Sequence, residues 1–211
     1  IWFTNEYFTG ASLSGSRDNW DYLAGIYSSD EGPEFDEAFD YGTFGLISIG
    51  YNFDESEYFD NSLLRIDVML QEEDSLNQTP EHQNAFSLVT KLKNGKFNFW
   101  GDLSFSNGYG SQSDVLGTQL MPFYDFTDKL QGVFSYSYVE SKDALGVDIT
   151  RYERDLAGRG DEMQEYFFGI NYFFHGHKLK WQNAVQYTEM DNLGTKVYEG
   201  WGYTSGIRIS W

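Results

Sequence analysis

The chain has 211 residues, no Cys, 3 Pro, 22 Gly and a net charge of −19. Phosphate binding needs basic surface, so this balance excludes nucleic acid as a partner, and the lack of any apolar run of about 18 residues excludes a transmembrane helix. Aromatic residues make up 19% of the chain while hydrophobic residues reach only 40%, which fits strands that are apolar on one face.

Period-two alternation recurs from end to end, and helical periodicity is nearly absent. It is weak over 1–14 and 19–28 and becomes clear where Ile47, Ile49, Tyr51 and Phe53 oppose Ser48, Gly50 and Asn52. Leu64, Ile66, Val68 and Leu70 then oppose Arg65, Asp67 and Gln71, and Phe86, Leu88 and Leu92 oppose Ser87 and Lys91. Phe97, Phe99, Leu103 and Phe105 oppose Asn98, Asp102 and Ser104. A weak stretch over 114–125 follows, then Leu130, Phe134, Tyr136 and Tyr138 oppose Gln131, Ser135 and Ser137. Tyr166, Phe168, Ile170, Tyr172 and Phe174 oppose Glu165, Gly169 and Asn171, and Leu179, Trp181, Val185 and Tyr187 oppose Lys178, Lys180, Gln182 and Gln186. In the last strand Trp201, Tyr203, Ser205, Ile207, Ile209 and Trp211 share one parity, and Gly202, Thr204, Gly206, Arg208 and Ser210 share the other. That makes about 11 strands.

Connections alternate in length. Short ones are expected at Ser14–Asp18, Asp54–Tyr58, Asn94–Lys96, Asp125–Asp128 and His175–His177. Long ones are expected at Ser29–Asp40, Glu72–Glu81, Asn107–Ser113, Ser141–Met163 and Met190–Tyr198. Short turns on one rim and long loops on the other are the pattern of an antiparallel transmembrane β-barrel. Counting back from a periplasmic Trp211 puts Ile1 outside. Because complete bacterial barrels have an even strand number, residues 1–211 read as a single barrel domain and a C-terminal fragment lacking upstream strands. A complete barrel of 10 or 12 strands is the competing expectation. Ile1 begins in strand-like sequence, so no signal peptide is expected within these residues, and the absence of Cys fits an exported protein.

The closing segment Gly200-Trp-Gly-Tyr-Thr-Ser-Gly-Ile-Arg-Ile-Ser-Trp211 resembles the C-terminal signature of outer-membrane proteins. In that class the barrel assembly machinery recognises the signature, here through Trp211. The hairpin Tyr166–Gln182, an aromatic strand, a His/Gly turn and a Lys-bearing return strand, is similar to a late hairpin of the phosphate-selective porin O/P family. Tyr22-Leu-Ala-Gly-Ile-Tyr27 resembles a mid-barrel strand there. The resemblance covers mainly 18–53 and 164–211. It implies a trimeric barrel of about 16 strands in the bacterial outer membrane, in contact with lipid and lipopolysaccharide and passing anions such as phosphate. About five strands would then lie upstream, together with that family's constriction, so no phosphate-binding residue is carried over.

By parity, Arg65, Lys91, Lys96, Lys178, Lys180 and Arg208 face water, against Glu6, Asp21, Asp67, Asp102 and Glu165. Lys178, Lys180 and Arg208 on neighbouring strands form a candidate basic stripe in the lumen. Pairing with Glu165 or Asp102 across strands is the alternative, and Arg65 with Asp67 reads as a local pair. The excess acid sits in Asp30, Glu31, Glu34, Asp36, Glu37 and Asp40 of the first long loop and in Glu72, Glu73, Asp74 and Glu81 of the second. Those carboxylates are candidates for divalent cations or lipopolysaccharide, against a solvated loop with no ligand; their spacing is not that of an EF-hand. His82, His175 and His177 stand in no nucleophile–base set, and no catalytic residue, resident metal or cofactor is expected. The expected function is a passive channel for small hydrophilic solutes. The alternative is a plugged structural barrel whose acidic loops bind cations, lipopolysaccharide or a protein.

Overall fold

The computed structural model describes residues 8–29, 42–56, 59–77, 79–151 and 154–210, with side chains outside 149–158. Every regular element among them is a strand: β1 (Gly10–Arg17), β2 (Trp20–Ser28), β3 (Thr43–Phe53), β4 (Ser62–Gln71), β5 (His82–Asn94), β6 (Phe97–Gly108), β7 (Val115–Thr127), β8 (Leu130–Ser141), β9 (Val147–Arg151), β10 (Arg154–Gly160), β11 (Glu162–His175), β12 (Leu179–Asn192) and β13 (Thr195–Ile209). Eleven of them form one antiparallel sheet in the order β1-β2-β3-β4-β5-β6-β7-β8-β11-β12-β13, and β9 pairs only with β10.

Register carries the alternation from strand to strand. Ile49 opposes Ile66, Ile66 opposes Leu88 and Leu88 opposes Leu103. Across the other half Phe134 opposes Phe168, Phe168 opposes Val185 and Val185 opposes Tyr203. A slip of one residue would flip a strand's whole apolar set to the other side, so this continuity pins every register. The sheet therefore has one apolar and one polar face.

The expected connections are right in order and differ in detail. One end of the sheet carries the connections 18–19, 54–61, 95–96, 128–129 and 176–178, and the opposite end carries 29–42, 72–81, 109–114, 142–161 and 193–194; we call them the turn end and the loop end. The expected turn at Ser14–Asp18 closes later, at Asp18 and Asn19, and Asp18 has a positive φ of 53°. The expected loop Met190–Tyr198 is a two-residue turn. Leu193 (φ 51°) and Gly194 (φ 72°) supply the left-handed pair that a tight hairpin needs. The expected loop Ser141–Met163 contains the β9–β10 hairpin. The 114–125 stretch alternates weakly because Met121 and Phe123 stand at polar-face positions and Thr118 at an apolar one. Pro122 also lies inside this interior strand, and the β7–β8 pairing skips Met121 and Pro122, as a residue without an N–H demands.

Burial is inverted relative to a protein that packs in water. Large apolar side chains of the apolar face are exposed, among them Ile170 (56%), Trp181 (45%) and Tyr203 (69%). The small polar residues behind them are buried: Asn98 is 8% exposed, Ser104 4% and Thr188 0%. Side chains crowd on the concave side of a curved sheet and spread on the convex side, so this pattern is that of a sheet curving toward its polar face. All buried hydrophobic residues among the described ones (Phe44, Met69, Val147, Met163, Phe173 and Met190) lie on the polar face or on β9.

Candidate functional site

The polar face is the surface with organised chemistry. A ladder of side-chain hydrogen bonds crosses five strands. Asn98 of β6 donates to Asp125 of β7 (3.4 Å), and Gln131 of β8 donates to the same carboxylate (2.8 Å). Asn171 of β11 donates to Gln131 (2.8 Å), and Gln182 of β12 donates to Asn171 (3.0 Å). The spacing follows from the register, which places Asp125 opposite Gln131, Gln131 opposite Asn171, and Asn171 opposite Gln182. Period-two reading puts each of these on the polar side but does not reveal the ladder. Its signal is an amide or acid at polar parity, at a similar distance from the turn, on consecutive strands.

One step toward the turn end lies the basic cluster. Lys180 of β12 directly opposes Arg208 of β13, and Lys178 accepts at its backbone oxygen from the Ser210 amide (2.8 Å). No ion pair engages Lys178, Lys180 or Arg208 among the described residues. The two acids expected as partners are held elsewhere. Glu165 accepts from the Thr188 hydroxyl (2.9 Å), far along β12 from Lys180. Asp102 accepts from the hydroxyls of Ser87 (2.8 Å) and Ser104. Like charges directly opposite are unfavourable, and here Lys180 and Arg208 concentrate positive charge beside the hydrogen-bonded ladder.

The remaining candidates are placed as follows. Arg65 and Asp67 form the local pair, with Nε to Oδ2 at 2.9 Å. Lys91 sits over the Trp100 ring, 5.0 Å from its centroid, a contact that holds a cation without an acid. Lys96 is in the β5–β6 turn, where its ammonium donates to the Phe126 carbonyl (3.2 Å). Asp21 accepts from Asn52 (2.5 Å). Glu6, Trp211 and the carboxylates Asp30, Glu31, Glu34, Asp36, Glu37 and Asp40 lie outside the described residues.

In the second acidic loop the carboxylates organise backbone. Asp74 accepts from the Leu76 amide (2.9 Å), and Glu81 accepts from the amide and hydroxyl of Ser111, both at 2.7 Å. The Ser111 hydroxyl, then its amide, hold the Glu81 carboxyl below its ordinary range. Asp114 is held low by the Gly108 amide and then by Lys142. No group of three or more His, Asp or Glu positioned for a metal occurs among the described residues.

On the apolar face two pairs of polar groups satisfy one another. Trp181 Nε1 donates to the Ser205 hydroxyl (3.1 Å), and the Tyr203 hydroxyl donates to Asn183 (3.1 Å). Toward the loop end that face finishes in Tyr and Glu: Tyr138 donates to Glu140 (3.0 Å) and Tyr187 to Glu189 (2.6 Å). Comparison with known proteins returns no matching family model, no matching curated protein and no matching solved structure.

Proposed function

We propose that this sheet is the wall, or the larger part of the wall, of a bacterial outer-membrane β-barrel. Its polar face would line a water-filled passage for small hydrophilic solutes. The observation that carries the reading is the inverted burial: Ile170, Trp181 and Tyr203 are exposed while Asn98, Ser104 and Thr188 are buried. In water a continuous apolar surface of this extent is unfavourable, and a bilayer removes the penalty. The strands suit it, since β3 to β8 and β11 to β13 run 10 to 15 residues and a tilted spanning strand needs about 9–11. The internal pairing of Trp181 with Ser205 and of Tyr203 with Asn183 lets these four side chains meet lipid with their polar groups satisfied. The Tyr–Glu border at the loop end matches the level of head groups, where lipopolysaccharide would be met.

Transport through such a wall is passive. Selectivity comes from width and from fixed charge. Lys178, Lys180 and Arg208 bias the turn end, the periplasmic side in this reading, toward anions such as phosphate. Assembly as a homotrimer and insertion through the C-terminal segment belong to the same proposal. The test is conductance in a planar bilayer with a salt gradient. Reversing Lys178, Lys180 and Arg208 together to Glu is expected to move the reversal potential toward cation selectivity. An unchanged potential removes the three residues from the mechanism. A silent bilayer redirects the reading to a structural barrel.

A further inference from the structure

At the loop end of β8, β11, β12 and β13 the polar face stops being polar. Val139 opposes Met163, Met163 opposes Met190, and Met190 opposes Tyr198, so β8, β11, β12 and β13 contribute one apolar row on the side that otherwise carries Glu165, Thr188 and Lys180. Val147, the first residue of β9, packs on this row; it is 6% exposed, and Met190 beneath it is 0% exposed. The foot of the β9–β10 hairpin is fastened there by hydrogen bonds. The Asp161 amide donates to the Asp191 carbonyl (2.9 Å), the Ser141 amide to the Asp161 carbonyl (2.7 Å), and the Leu145 amide to Asn192 Oδ1 (3.0 Å). Gly160 lies so close to the Asp191 carbonyl that a Cβ would meet its oxygen at 2.3 Å, so only glycine fits. β10 lies against β12 and β13. At the base Arg159 bridges to Asp148 (3.0 Å), tying the two strands together.

We infer that the β9–β10 hairpin, whose foot is seated on the polar face through Val147, narrows the outer mouth of the passage. The inference rests on the channel reading. Apolar side chains on a water-lined wall are unfavourable unless something covers them, and a hairpin directed out of the mouth would leave Val139, Met163, Met190 and Tyr198 wet. The hairpin thus acts by occlusion and sets the size limit, whereas Lys178, Lys180 and Arg208 act by charge at the other end.

The experiment compares the full chain, a variant with 147–160 replaced by a short Gly-Ser linker, and Val147→Asp, which keeps the chain length where the deletion fails to assemble. Each is reconstituted in a planar bilayer and probed with polyethylene glycols of graded size. Both variants are expected to conduct more than the parent and to admit larger polymers. A parent that is silent while the deletion conducts supports the same role, as a complete plug. A parent that conducts with unchanged conductance and size limit in both variants overturns the hairpin's role and leaves the channel reading standing. Silence in all three overturns the channel reading itself. Because the chain has no Cys, Val147→Cys gives an independent readout. A seated anchor is shielded from a water-soluble maleimide, and immediate labelling would show that the hairpin is not held on the wall.

Discussion

The two ends of the polar face have the same strands, the same parity and opposite chemistry. At the loop end Met163 and Met190 are buried with Val147, Val139 and Tyr198 pack against them, and Thr188 and Met190 have no exposed surface. At the turn end Lys180 faces Arg208 without an acid, beside amides that satisfy one another. The difference teaches that parity decides only which side of the sheet a residue occupies. What covers it decides whether that position packs or carries charge.

Three changes break or sharpen this contrast. The largest effect is expected at the sealed end. Met190→Ala removes a fully buried side chain and is expected to cost about 2–5 kcal/mol, read by urea unfolding in vesicles. A loss no larger than that of Gln182→Ala would show that the sealed end is not a core. A smaller change of opposite sign is expected at the open end. Lys180→Gln relieves a like-charged opposed pair and is expected to gain about 0.2–1 kcal/mol in the same assay; destabilisation would mean that the cation has a partner. The smallest effect is on the rim. Glu81 and Asp114 have carboxyls held below their ordinary values of 4.5 and 3.8. Their contribution is complete above those values and is lost as pH falls below them through the lowered ones. Hydrogen exchange at the Ser111 and Gly108 amides is expected to quicken over that acid window and to stay slow above it. Uniform exchange through the window would remove the two carboxylates as latches.

The sheet was legible in the sequence because its signal is periodic and local. Ile47, Ile49, Leu64, Ile66, Phe168 and Ile170 declare one side, and the 11 sheet strands and their order follow. Arg65 with Asp67 was legible for the same reason, being two apart on one strand. What period two treats as noise was not legible. Val139, Met163 and Met190 look like lapses in a polar side until the hairpin lies over them. The hairpin itself hides in a stretch whose polar residues read as a loop. Leu193–Gly194 reads as part of a long connection because Leu is uncommon at a positive φ. The destination of Glu165 depends on Thr188 one strand away, information that no single-strand pattern holds.

The order of strands also bears on how the sheet is put together. Nearly every neighbour in the sheet is the next strand in the chain. Each addition therefore closes a loop no longer than its own connection, which keeps the entropy cost of pairing low. The one jump, from β8 to β11, spans a segment that β9 and β10 already draw together. A meander of this kind can grow hairpin by hairpin, with each freshly added edge serving as the template for the strand that follows.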